Sequence, residues 1–505
     1  MSELLTDEEM QQLKPAQGAI FPSPIPTHPI SNGEFMPGRQ TDEQRQVEAR
    51  IQQLSDELAP RQGMSRRAFL RSSSGLAAAF LAMNDVYGPL FGVTSAEARQ
   101  ADLATERARR LSGQFIIDGH THFLSDDLAP DNINARFAGL RSAVGKFGLN
   151  PDLSKEPQTL EHLKFKNYVK EMFLDSDTKI VGVSGAPGDD PKEWFLSNDR
   201  KAEARDHVNA IAGSRRVLSH AVFTPGQPGW LEEIDRCVEK LKPDAWKGYT
   251  IGDNNRPDKS RYPWRLDDEK VTYPGYEKML KSGIRNVCVH KGLFSAKLAA
   301  ELPHLQQYAA VGDVAKAAKD WPDLNFHIFH AGYRFVEFNQ ANVLAQFEKT
   351  GRLEWTSDLA EIPEKHGVSN VYADIGAVFA AVCTLQPRLA AAMLGTLVKG
   401  LGADKVLWGT DSLWFGSPQW QIEALRRLEI PEDMRKKHGY APLGDAEGLV
   451  KSAVFGLNTA RLFGINVRAA QNAVSGDRFA ALKAEYERTG TDRSNFAYGW
   501  VLKDS

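Results

Sequence analysis

From Gln114 onward the chain alternates short apolar runs with longer stretches of helical character, and this alternation restricts the fold more than any other feature. The runs are QFIIDGHTHF, KIVGVSGAPG from Lys179, VLSHAVFTPG from Val217, AWKGYT from Ala245, NVCVHKG from Asn286, NFHIFHAG from Asn325, NVYADIG from Asn370 and VLWGTDS from Val406. Continuously apolar strands are buried on both faces, so strands of this kind separated by helices predict a parallel sheet. Eight such units predict an α/β chain closed into a (β/α)8 TIM-type barrel. The barrel is expected over residues 114–467, longer than the roughly 250 residues typical of the fold, so insertions are expected after Tyr249 and after Ile430. An open doubly wound sheet is the rival, but no glycine-rich phosphate loop follows the first strand.

In such a barrel, function sits where strands run into their following loops. The first run ends in IIDGHTHF, and because side chains alternate along a strand, His120 and His122 project from one side while Thr121 points away. A lone pair of this kind is weak, since strand-end histidines are often satisfied by neighbouring loops. The other strand ends add Lys247 on the fourth strand, His290 on the fifth, His330 on the sixth and Asp411 on the eighth. Five strands therefore deliver N or O groups to one mouth.

This set of motifs resembles the amidohydrolase superfamily, and within it the amidohydrolase-related branch that includes aminocarboxymuconate-semialdehyde decarboxylase. The residues that carry the resemblance are DGHTHF, the lysine of WKGY, VHKG, FHAG, WGTDS and the closing GLNTARLFGI from Gly456, spread over Gln114 to Ile465. The resemblance implies His120, His122 and His290 as metal ligands and Asp411 as a ligand or as a base beside the metal. It implies His330 as a catalytic residue near the bound water. Three imidazoles and a carboxylate suit one divalent ion, zinc first, with manganese or another divalent ion as the alternative. Such an ion makes hydroxide available near neutral pH, and a neighbouring carboxylate can take the proton. Lys247 would orient substrate; in some superfamily members the equivalent lysine is carbamylated and bridges two metals.

Other residues receive plainer assignments. His327 is expected to face away from His330 and pack on a helix, His220 to be structural, and Asp118 to brace the first loop. Lys291, Tyr333 and Arg334 follow ligand-bearing strand ends and are candidates to receive a substrate carboxylate, while Trp246, Trp414 and Phe415 are candidates to wall an apolar group. Cys237, Cys288 and Cys383 are widely spaced and read as buried small hydrophobes.

With 62 basic and 65 acidic residues and a formal charge of -3, the chain offers no reason to expect a nucleic-acid partner. No run approaches the roughly twenty apolar residues of a permanent membrane span. A small-molecule substrate is the expected partner, with a second copy of the chain as the other candidate. Residues 1–63 read as a polar extension with a mobile tail and a surface helix, and 99–113 as a linker helix. Residues 468–505 read as a C-terminal extension on the outside of the barrel. Residues 64–98 resemble a twin-arginine export signal: Ser65-Arg66-Arg67-Ala68-Phe69-Leu70, the run GLAAAFLAM, and a small-x-small site at Ala96-Glu97-Ala98. Export of a folded protein to the periplasm is the expectation, and retention in the cytoplasm the alternative. The leading functional expectation is a metal-dependent hydrolase of a small carbonyl compound. A non-oxidative decarboxylase of an aromatic or unsaturated acid is the second, and a non-catalytic metal-binding barrel the third.

Overall fold

Each of the eight apolar runs forms a strand in the computed structural model, which describes residues 11–15, 21, 23–25, 27, 39–128, 132–136, 159–334, 341–414, 416–489 and 500–503. The strands are β1 Ile117–Thr121, β2 Ile180–Val183, β3 Val217–Val222, β4 Ala245–Tyr249, β5 Asn286–His290, β6 Asn325–Phe329, β7 Val371–Asp374 and β8 Val406–Leu407. All neighbouring pairs are parallel and follow chain order. The sheet closes because Gly119 N–H donates to Trp408 O at 3.0 Å and Asp411 N–H to His120 O at 2.9 Å, with Thr121 bridging Ser412. This is the (β/α)8 barrel. Its strands are apolar throughout because their outward residues, such as Val287, Val289, Phe326 and Ile328, bury against the helices. The expected insertions are present: a stretch with one short helical turn separates β4 from helix Tyr273–Ser282, and helix Glu432–His438 follows Ile430.

The region before the barrel departs from expectation. Helix α1, Asp42–Arg61, starts at a capping box in which Thr41 Oγ1 accepts from Gln44 N–H and Gln44 Oε1 accepts from Thr41 N–H. It is not a surface helix: Val47, Ile51, Leu54 and Leu58 recur at spacings of three and four and are buried. Such spacing makes one apolar stripe. Two further helices, α2 Arg66–Leu70 and α3 Ser73–Tyr87, occupy the segment that resembles an export leader, and Ala77, Ala78, Ala79, Phe80, Ala82 and Met83 are wholly buried in the same cluster. A side chain at Gly75 would overlap the carbonyl of Phe69, so glycine is what lets α3 pass so close to α2. Helices α4 Ser95–Arg99 and α5 Ala101–Leu111 complete this layer.

Helix α6, Gln419–Arg427, joins the layer to the barrel through charge. Arg427 is bound by both carboxylate oxygens of Glu97, and its guanidinium lies 5.4 Å from the Phe80 ring centre. Arg426 donates to Asp177 and Glu423 at 2.7 Å each, and Arg107 donates to Glu423 at 2.9 Å. At the other end of the chain, Arg216 holds Asp477 bidentately at 2.6 and 2.8 Å, between helices Val467–Ser475 and Arg478–Thr489. A short antiparallel pair, Leu13–Pro15 with Trp500–Leu502, brings the two ends of the chain together. The three cysteines are free and buried, and no described helix is long and apolar enough to cross a membrane.

Candidate metal centre

Strand β1 aims His120 and His122 into the barrel, and the turn after β8 brings Asp411 across to meet them. Asp411 Oδ1 lies 3.2 Å from His120 Nε2 and 3.1 Å from His122 Nε2, and the ligand atoms of the three residues are within 4.8 Å of one another. Among the described residues this is the one cluster able to hold a metal ion. Both rings are oriented from behind. His122 Nδ1 contacts the Ser184 carbonyl at 2.8 Å, which can only accept, so the proton sits on Nδ1 and the lone pair of Nε2 faces Asp411. His120 Nδ1 contacts Asp374 Oδ1 at 3.1 Å, and its Nε2 has no hydrogen-bond partner. Two imidazole lone pairs and a carboxylate converging on one point form a donor set that fits a divalent ion.

His290 stands outside this three-residue group. Its Nδ1 is 3.2 Å from His330 Nε2, and its ring stacks on Tyr249 with centres 4.8 Å apart. His330 bridges the two parts, its ring centre 4.9 Å from that of His120 and 4.6 Å from that of His290. It reaches this place because β6 ends at Phe329 and the chain turns through left-handed backbone at His330 (φ 61°) and Ala331 (φ 51°). Non-glycine residues pay about 1–3 kcal/mol for such conformations, which persist where surrounding structure enforces them. Asp411, at φ 59°, is held in the same way. The turn corrects the expectation for His327. It does not face a helix but points into the barrel, with Nδ1 3.7 Å from Cys288 Sγ and its ring near Phe463.

Lys247 lies wholly buried on β4, its Nζ 3.4 Å from the centre of the Phe329 ring and 4.8 Å from that of Tyr249, with no hydrogen-bond partner. Burial drives its pKa down to about 7, opposed by the negative potential of Cys288, Asp411 and Asp374. His120, His290 and His330 are each pushed well below the ordinary histidine range, by burial first and by Lys247 among the charges, so all three rings are neutral and able to donate a lone pair. Asp118 ties β1 to the turn after β8 rather than bracing the first loop, accepting from the Thr410 hydroxyl at 2.5 Å and from the N–H of Thr410 and of His120. Burial raises its pKa to about 7 against those bonds. His220 has one partner, the Ser184 hydroxyl at 2.7 Å.

Several residues read as substrate contacts are engaged elsewhere. Lys291 is buried against Asp313 at 2.8 Å and the Tyr308 carbonyl at 2.6 Å. Arg334 pairs with Glu354 and lies over Trp355. Tyr333 belongs to the hydrophobic core, and so does Trp246, which faces the helices one residue out of phase with Lys247 and donates to Ile284 O. Trp414 does wall the mouth, its ring stacked on His122 at 5.6 Å. Phe415 lies outside the described residues. Sequence reasoning missed Asp374, Tyr249 and Phe329. Asp374 closes β7 at the mouth, but that position alone does not show that its carboxylate serves a histidine.

A buried histidine–carboxylate cluster at the C-terminal mouth of a (β/α)8 barrel defines the class of metal-dependent barrel enzymes. The family model described as Amidohydrolase matches residues 117–465, well over half of the chain, and the protein belongs to that family. No curated protein sequence matches it. Solved structures similar to it include 5-carboxyvanillate decarboxylase from Sphingomonas paucimobilis, 15% identical, covering 70% of this chain and 100% of that one, TM-score 0.40. Another is 2,6-dihydroxybenzoate decarboxylase from Rhizobium, 14% identical, covering 70% and 99%, TM-score 0.39. A third is 5-carboxyvanillate decarboxylase from Novosphingobium aromaticivorans complexed with manganese, 15% identical, covering 70% and 97%, TM-score 0.42.

Proposed function

We propose that the protein is a metal-dependent, non-oxidative decarboxylase of a small aromatic or unsaturated carboxylic acid. The observation that carries this reading is the Lys247 amine, buried among aromatic rings at the floor of the mouth and without a hydrogen-bond partner. Lys291 and Arg334 are committed to Asp313 and Glu354, which leaves Lys247 as the uncommitted amine beside the histidines. Aromatic faces at Tyr249 and Trp414 suit a planar acid better than a flexible amide. His120, His122 and Asp411 would hold one divalent ion, zinc or manganese, with His290 as a fourth ligand. The bound ion would supply positive charge to orient the substrate's oxygens.

In the reaction the bond from the substrate carbon to its carboxylate breaks, carbon dioxide leaves, and one proton takes its place on that carbon. The Lys247 amine, with its pKa lowered to about 7, is the group able to deliver that proton, and His330 stands beside it to pass it on. Hydrolysis is the second reading, favoured by Asp411, whose carboxylate stands where it could take a proton from water. One experiment separates them. The metal-loaded protein is incubated with a panel of aromatic and unsaturated acids in heavy water, and with amides and lactones in oxygen-18 water. Carbon dioxide release with one deuterium at the vacated carbon supports the decarboxylase; oxygen-18 in a cleaved product rejects it in favour of the hydrolase.

A further inference from the structure

We infer that Asp374 is a positioning residue for the metal centre: its carboxylate fixes the tautomer and direction of His120, so that metal affinity depends on it. The inference rests on His120 being a ligand, as in the proposed function. Asp374 is the last residue of β7 and is 1% exposed, with Oδ1 3.1 Å from His120 Nδ1 and the Gly376 N–H donating to it. Accepting at this contact, the Asp374 carboxyl oxygen holds the imidazole proton on Nδ1 and leaves the Nε2 lone pair directed at Asp411. His122 reaches the same state through a backbone carbonyl, which no substitution can remove. His120 depends on a side chain, and that makes it the ligand that mutation can misorient.

Two glycines make the socket. A side chain at Gly409 would overlap the Asp374 carboxylate. A methyl at Gly376, where φ is +32°, would stand 2.8 Å from His330 Nδ1, 3.1 Å from Asp374 Oδ1 and 3.3 Å from His120 Nδ1. No side chain therefore fits between the carboxylate and the two rings it faces. The same glycine lies where the His120 and His330 rings approach each other, their centres 4.9 Å apart.

The test measures binding rather than turnover. Manganese and zinc titrations of the metal-free protein should give dissociation constants about 10- to 100-fold weaker for Asp374→Ala, the usual scale for losing a partner behind a ligand. Asp374→Asn keeps an acceptor oxygen and should recover part of the loss. Proton–nitrogen spectra of the metal-free, histidine-labelled protein should contain the His120 Nδ1–H signal in the parent and in Asp374→Asn, and lack it in Asp374→Ala. Gly409→Ala, which displaces the carboxylate without removing it, should weaken metal binding in the same direction and covers the case in which Asp374→Ala does not fold. Unchanged affinity in a folded Asp374→Ala protein overturns the inference. A parent protein that shows the Nδ1–H signal but binds neither ion overturns the proposed function instead.

Discussion

At the seam between the N-terminal layer and the barrel, buried Arg426 and Arg427 meet Asp177, Glu423 and Glu97, with Arg107 closing the network from α5. At the barrel mouth, equally buried groups are left open: Lys247 Nζ, His120 Nε2 and His330 Nδ1 have no hydrogen-bond partner. The two regions are alike in burial but differ in how charge is met: at the seam each guanidinium faces a carboxylate, even Arg427 Nε, which has no hydrogen bond but lies 3.5 Å from Glu423. Buried polar groups without partners cost stability, so a native chain keeps them where something else completes them. The seam is finished by folding; the mouth is finished by what binds there.

The contrast breaks most sharply at His122. His122→Ala should lower the divalent metal content from close to one equivalent to none by elemental analysis, and reduce activity to background, while the metal-free protein still folds. Two equivalents that both vanish in Lys247→Ala would instead assign a two-metal site built on a modified lysine.

The seam should respond in the reverse sense. Burial alone would raise Glu423, but Arg426, Arg427 and Arg107 outweigh it and hold its pKa at about 2. Removing it takes the close carboxylate from Arg107 and leaves Arg426 with Asp177 alone, so Glu423→Ala should lose up to about 3–5 kcal/mol in denaturant unfolding. At temperatures where the variant is folded, metal content and activity should persist. The pH dependence follows from the sign. The folded value lies below the ordinary 4.5, so this stabilisation is complete above pH of about 4.5 and is lost as pH falls toward about 2. Tryptophan fluorescence should report an acid transition in that window, and Glu423→Ala should lack that contribution. A variant as stable as the parent would place the seam with ordinary surface ion pairs.

A smaller effect separates the two halves of the mouth. His330 lies against His120 and His290 but outside the three-ligand group, so His330→Ala should retain most of the metal while turnover falls by about 100-fold or more, about 2.7 kcal/mol of barrier. Loss of the metal in this variant would move His330 into the ligand set and displace His290.

How much of this was legible in the sequence depended on whether a feature was local. The strands were, because an apolar run between helices has one parallel-sheet solution, and His120, His122 and Asp411 followed from their places at strand ends. The layer was not: α1 carries its apolar residues four and three apart within a charged stretch, and its partner α3 looked like a leader because the same small apolar residues serve both purposes. The committed states of Lys291 and Arg334 were not legible either, since their partners Asp313 and Glu354 lie 22 and 20 residues away and enter from separate loops. Asp374 was missed for another reason. Its role lies in what stands 254 residues earlier in the chain, and no local motif marks a carboxylate that serves a histidine rather than a substrate.

The smallest expected effect on stability belongs to Arg66 and Arg67, and it tests what the layer is. Arg66 meets Asp56 in an exposed pair, with side chains 54% and 61% accessible, and such pairs contribute at most about 1 kcal/mol. Replacing both arginines by lysine should leave unfolding near that margin, because charge is kept and both residues are exposed. Location is the sensitive measurement. If the pair is read as an export signal, the double variant should remain in the cytoplasm, folded and metal-competent, while the parent is found outside it. The seam adds a condition on processing. Cleavage after Ala98 would take away α3 and Glu97, leaving Arg427 without its bidentate partner and uncovering the barrel face beneath Phe80. An exported protein is therefore expected to keep residues 64–98, which its intact mass would reveal. A stable product that begins at residue 99 would show that the paired charges of the seam matter less to the barrel than their burial implies.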